Sequence, residues 1–116
     1  MDEHLYLVLS NPVAGLEDEF NDYYDNVHLP ELLRIKGLSR ATRLELSDRR
    51  PGQAPLEGYS YACVYEFDDD PIETLDRLTQ LREAGGLTPT KAISRDPAPR
   101  AVLYRRRRQV SAEPTG

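Results

Sequence analysis

Apolar and polar positions set the elements before any single residue stands out. Over His4–Ser10, Leu5, Leu7 and Leu9 fall on one side and Tyr6 and Val8 on the other, the period of a strand with both faces partly apolar. Asn11-Pro12-Val13-Ala14-Gly15 breaks it. The period then lengthens: Phe20, Tyr24 and Val27 share a stripe at helical spacing, with Tyr23 beside it, and Asp18 and Glu19 suit a helix N-terminus. Pro30 removes a backbone N–H and disfavours the helical region for Leu29, so this helix is expected to end or kink near His28. A short second turn, Glu31–Ile35, would follow and close at Gly37.

In Leu38–Ser47, Thr42, Leu44 and Leu46 alternate with Arg43 and Glu45, a second strand; Asp48–Gly58, with two prolines and two glycines, is a loop. Tyr59–Phe67 puts Tyr59, Tyr61, Cys63, Tyr65 and Phe67 on one face against Ser60, Ala62, Val64 and Glu66. Asp70-Pro71-Ile72-Glu73 reads as an N-cap, a first-turn proline and a capping-box acid; Ile72, Leu75 and Leu78 would be buried, and Gly85-Gly86 ends the helix. Leu87–Arg100 is a proline-containing connection, a lid or brace, before a last strand over Ala101–Arg107.

Strand, helix, strand, strand, helix, strand is the order of a ferredoxin-like plait: an α+β fold with a four-stranded antiparallel sheet. It makes one domain over residues 1–108, with 109–116 a polar tail. Two helices cover one face. Small residues let a helix lie close, so the expectation is helices over Ala62 and Val64, with Tyr6, Val8, Tyr61, Cys63 and Tyr65 on the open side. A face that apolar calls for a cover, and a second copy packed about a twofold axis supplies one.

Composition narrows the function. The 116 residues carry a formal net charge of −5, which argues against general nucleic-acid binding. No apolar run approaches the roughly 18 residues that span a bilayer, and Met1-Asp2-Glu3-His4 lacks the basic and apolar parts of a secretory leader, pointing to the cytoplasm. One cysteine rules out an internal disulfide framework, and Cys63, mid-strand without a cation near it in sequence, reads as an inert thiol. Two isolated histidines make no metal site, no glycine loop cradles a phosphate, and no cofactor is expected. Arg105–Arg108 reads as the charged end of an edge strand.

His28 is the candidate acid/base. It sits where the helix is expected to stop, with Tyr24 four and Asp25 three residues before it. A carboxylate and a helix C-terminus would raise its pKa; Asp25 could instead orient a neutral imidazole for proton abstraction. The bland reading is a half-exposed capping histidine, with Tyr24 in the core and Asp25 solvated. Tyr6, Tyr61 and Tyr65 are candidate pocket hydroxyls or dimer-interface rings. Arg43 is a candidate oxyanion partner, or an edge charge paired with Glu45.

The run Phe20, Tyr23-Tyr24, His28-Leu29-Pro30 and Leu33, followed by Ile35-Lys36-Gly37-Leu38 and a strand, resembles the EthD-like group of dimeric α/β-barrel proteins. Tyr24 stands where tryptophan is common and Lys36 where proline is common. The resemblance implies a homodimeric barrel with a pocket in each subunit. The wider superfamily holds polyketide cyclases, small lyases and isomerases, cofactor-independent monooxygenases and haem-using enzymes, so the fold does not choose the chemistry. The resulting expectation is cofactor-free acid/base chemistry on a small aromatic or polyketide-like substrate, of cyclase, lyase or isomerase type. The alternatives are a non-catalytic dimeric protein that holds a small hydrophobic ligand, and a cofactor-independent monooxygenase.

Overall fold

In the computed structural model, which describes residues 3–114, four strands form one antiparallel sheet in the order β2-β3-β1-β4. Met1 and Asp2, the start of the segment read for a leader, and Thr115 and Gly116, the end of the expected tail, lie outside the described residues. β1 is His4–Ser10, β2 Leu38–Glu45, β3 Tyr61–Phe67 and β4 Arg100–Arg105. The helical stretch between β1 and β2 comprises α1, Glu17–Tyr23, a π-helical turn over Tyr24–His28, and α2, Leu29–Leu32; α3 spans Pro71–Glu83. This is the ferredoxin-like α+β plait that the alternation predicts. Among the described residues no helix is long and apolar enough to cross a membrane.

The strand register inverts the expected use of the two faces. Tyr6 opposes Tyr65 and Val8 opposes Cys63, and these residues lie under the helices rather than on the open side. Cys63, Tyr65 and Phe67 form the main core with Leu32, Ile35, Leu38 and Leu78. Tyr61 packs on a second cluster, where Phe20 and Tyr24 of the helical stretch enclose Ala92 of the α3–β4 connection. The large aromatic residues fill the gap between helix and sheet. The small residues are left on the other side, where Leu7 opposes Val64 and Val102, Leu9 opposes Ala62, and Leu5 opposes Tyr104. That open face is apolar too: Leu44, Val102 and Tyr104 are 50%, 40% and 56% exposed on it.

The chain does not stop at His28. The N–H of Leu29 reaches back five residues to the Tyr24 carbonyl, and helix resumes through Pro30 into α2. Proline clashes with the carbonyl four residues before it. A π-turn widens the helix where that clash would fall, so the chain continues without breaking. Gly37 ends the stretch at φ +107°, and a Cβ there would collide with Thr74 Oγ1. Only glycine allows β2 to start this close to α3.

In α3, Asp70 Oδ2 accepts the Glu73 N–H at 2.9 Å as expected of the N-cap. The reciprocal half of the capping box is not made: the Asp70 N–H donates to Asp69, and Glu73 pairs with Arg77. Ile72, expected in the buried stripe, is exposed, and Leu75 and Leu78 carry the packing. The α3–β4 connection braces the helical stretch: the Val13 N–H donates to the Ala92 carbonyl at 2.7 Å, and Ile93 bridges Pro12.

Candidate functional site

The π-turn determines what surrounds His28. At about 100° per residue, positions five apart lie on different sides of an α-helix. In a π-turn, bonded i to i+5, they lie nearly above one another. Tyr23 therefore reaches His28: the rings stack at 5.2 Å and 21°, and Tyr23 Oη lies 3.3 Å from His28 Nδ1. Tyr24 meets the imidazole edge-on at 5.1 Å.

A proton count assigns the tautomer. Tyr23 donates its one hydroxyl proton to the Thr88 carbonyl at 2.6 Å, and a carbonyl can only accept. The proton between Tyr23 and His28 must then come from Nδ1–H, which leaves Nε2 as the bare nitrogen. Among the described residues no hydrogen bond reaches Nε2, and no side-chain nitrogen or oxygen sealed from solvent lacks a partner. Nε2 thus opens onto accessible space, and the space His28 borders is a cavity of about 360 Å³.

That cavity lies between the sheet and the helices. Val8, Leu32, Leu38, Leu75 and Leu78 give it apolar walls, Tyr6 and Tyr65 line it from the sheet, and Arg82, Pro99 and Ala101 stand at its exposed edge. The imidazole is held neutral. Burial lowers the His28 pKa to about 4, the nearby Arg82 cation pushes the same way, and Glu31 opposes them. This reverses the expected rise. Burial also raises the Tyr65 phenol far above its ordinary range, so that hydroxyl remains a proton donor. Tyr23 is raised as well, by burial first and then by Glu31.

Asp25, expected beside His28, faces elsewhere. Its carboxylate binds Arg43 at 2.9 Å, and Arg43 also donates to Asn21 Oδ1 at 2.8 Å. The Arg43 guanidinium lies over the rings of Phe20, Tyr24 and Tyr61 at 5.6, 5.0 and 5.5 Å. Arg43 therefore ties β2 to α1 through an aromatic cage, away from the cavity, and its partner is Asp25 rather than Glu45. Tyr61 belongs to that cage, with Asn21 Nδ2 3.4 Å from its hydroxyl. Tyr24 is core, its hydroxyl 3.4 Å from Ser10 Oγ, and forms the wall behind His28. Cys63 is a free, buried thiol pushed up by burial.

Of the sequence-predicted site residues, the structure gathers His28, Tyr6 and Tyr65 around one cavity and leaves Tyr24, Asp25, Arg43 and Tyr61 outside its lining. Sequence reasoning missed Tyr23 as the Nδ1 partner, Arg82 at the cavity edge, and the clasp behind them. In that clasp, Glu31 accepts from the Thr88 N–H at 3.0 Å and the Thr88 hydroxyl at 2.6 Å, so the carbonyl that receives the Tyr23 proton is fixed in place. The Tyr-x4-His spacing brings the two rings together only where the helix widens into a π-turn. Among the described residues no group of three or more His, Cys, Asp or Glu could hold a metal ion.

Solved structures share this architecture. A candidate monooxygenase from Shewanella loihica PV-4 superposes with a TM-score of 0.61 over 94% of this chain and 99% of that one, at 15% identity. An EthD (ethyl tert-butyl ether) family protein from Bacillus halodurans C-125 gives 0.58 over 90% and 97%, at 18% identity. The chain has the fold of an EthD-family protein. No protein-family model matches it by sequence, and no curated protein does.

Proposed function

We propose that this protein is a small-molecule enzyme in which His28 Nε2 takes a proton from a carbon or hydroxyl of a compact, largely apolar substrate. One observation carries this reading: His28 lines an apolar cavity while its Nδ1 is engaged by Tyr23, which leaves Nε2 as the nitrogen free to act. A base of this kind is present in its reactive form at neutral pH. Nδ1–H stays with Tyr23 as Nε2 gains charge, and Glu31, which opposes the lowering of the pKa, steadies the imidazolium once it forms. Tyr6 and Tyr65 line the same cavity, and a hydroxyl of either turned toward the substrate would donate to the developing oxyanion. Returning the proton elsewhere on the substrate isomerises it, expelling a leaving group makes the enzyme a lyase, and carbon–carbon closure makes it a cyclase.

The test is solvent-deuterium wash-in at the acidic C–H positions of small aryl ketones and arylacetates, followed by NMR. The wild-type rate should be flat above about pH 5 and fall as His28 protonates near pH 4. His28→Gln should reduce it by about 10²–10⁴-fold. Equal rates in the two proteins would refute the role. The candidate monooxygenase of like fold favours a second reading, in which the same abstraction yields a phenolate or enolate that reacts with dioxygen. Oxygen uptake that requires both a phenolic substrate and His28 would select it.

We also propose that two copies pair through the open sheet face. Val64, Leu7 and Val102 form an apolar row across β3, β1 and β4, with Leu44 of β2 on the same face opposite Ala62, and water would otherwise meet it. Sedimentation should show a dimer that Val102→Asp dissociates, and a wild-type monomer at micromolar concentration would contradict the pairing.

A further inference from the structure

Arg82 differs from Arg77 and Arg43, the arginines that tie the helices to their surroundings. Arg77, on the same helix, donates to the Lys36 carbonyl and pairs with Asp69 and Glu73. Arg43 is engaged by Asp25 and Asn21. Among the described residues the Arg82 guanidinium makes neither an ion pair nor a hydrogen bond, yet it is the one charged side chain, other than the titratable His28, among those lining the cavity. A basic residue in the last turn of α3 also suits the helix dipole, but that would be met in any rotamer. Lining the cavity, and making its field felt at His28, goes beyond that.

We propose that the cavity selects a compact aromatic or aliphatic anion, with its apolar body between Leu38, Leu75 and Leu78 and its carboxylate or enolate oxygen held by Arg82. This names the substrate class for the site described above and rests on that cavity being a ligand site, but not on His28 being the base. The volume of about 360 Å³ is near the lower end of small-molecule sites and suits one or two fused rings. A guanidinium grips a carboxylate with two parallel N–H bonds, which fixes the orientation of the bound molecule as well as its charge. An anion docked there also offsets the Arg82 charge felt at His28, so binding would make the imidazole a stronger base.

The test compares 2-naphthoate with its neutral isostere 2-naphthamide by calorimetric titration. Naphthoate should bind the wild-type protein more tightly than naphthamide. Arg82→Gln should weaken naphthoate about tenfold and leave naphthamide nearly unchanged, while Arg82→Lys, which keeps the charge, recovers part of the loss. Arg82 is exposed, and unchanged melting temperatures will show that both variants are folded. Naphthoate that fails to bind, binds no better than naphthamide, or is unmoved by Arg82→Gln overturns the proposal. His28→Gln should keep the preference for naphthoate, so failure of the proton-transfer reading is seen separately, in the deuterium experiment.

Discussion

Protonating His28 should cost the protein a measurable part of its stability, and replacing it with glutamine should remove that cost. In the unfolded chain an imidazole titrates near its ordinary 6.5; in the fold the value is about 4. The folded state therefore binds the proton less well than the unfolded state. The His28 contribution is whole above about pH 6.5, drains as pH falls below that, and is fully lost below about pH 4. At ~1.4 kcal/mol per pH unit the gap is worth about 3 kcal/mol, with about 2 kcal/mol already gone near pH 5. Domains of this size are stable by roughly 5–15 kcal/mol, so the effect is large. The assay is urea unfolding of the wild type and His28→Gln at intervals between about pH 7 and pH 4.5. Glu31 and Asp69, whose carboxyls are held low by Thr88 and by the Asp70 N–H respectively, also lose stability in acid, but they do so in both proteins. The difference between the two curves isolates His28. It should be flat above about pH 6.5, and the wild type should lose ground to the variant below it. Parallel curves would refute the burial assigned to the ring.

Three further outcomes follow from the packing. Arg43→Ala should destabilise by about 2 kcal/mol, most of it from the three aromatic rings since the Asp25 partner is exposed, and should leave naphthoate affinity unchanged; urea unfolding and titration read the two effects. Gly37→Ala should cost about 2–4 kcal/mol, because a side chain there needs a positive φ and collides with Thr74, and Thr74→Ser should not rescue it, since serine keeps the colliding oxygen. Tyr23→Phe should cost about 1–2 kcal/mol through its lost bonds and should allow the proton to redistribute between Nδ1 and Nε2 of His28, which ¹⁵N NMR reports directly.

The sequence made the element order legible because the two-residue and helical periods alternate cleanly, and β1 begins and ends where the alternation does. Which sheet face the helices cover was not legible, because both faces are apolar. Side-chain size decides it the other way round: tyrosine and phenylalanine fill the space between the helices and the sheet, which alanine would not. Pro30 correctly marked a disturbance at His28. The choice between breaking the helix and widening it depends on packing against the sheet and the 87–93 segment, which no local pattern contains. His28, Tyr6 and Tyr65 stand out by residue type, and Tyr6 and Tyr65 share a face as the alternation implies, though it is the helix side rather than the open side. Asp25 was misplaced because its partner Arg43 is reached through the sheet rather than along the helix. Arg82 looked like any last-turn arginine, and only the tertiary fold sets it beside His28.

His28 is proposed to offer an unprotonated Nε2 to the cavity while Tyr23 holds the proton on Nδ1. A ¹⁵N-detected spectrum of the histidine ring nitrogens at neutral pH tests it most directly. The expected spectrum has a proton on Nδ1 and a bare Nε2, persisting as the sample is acidified to about pH 5. A proton on Nε2, or an imidazolium already formed at pH 6, would contradict it.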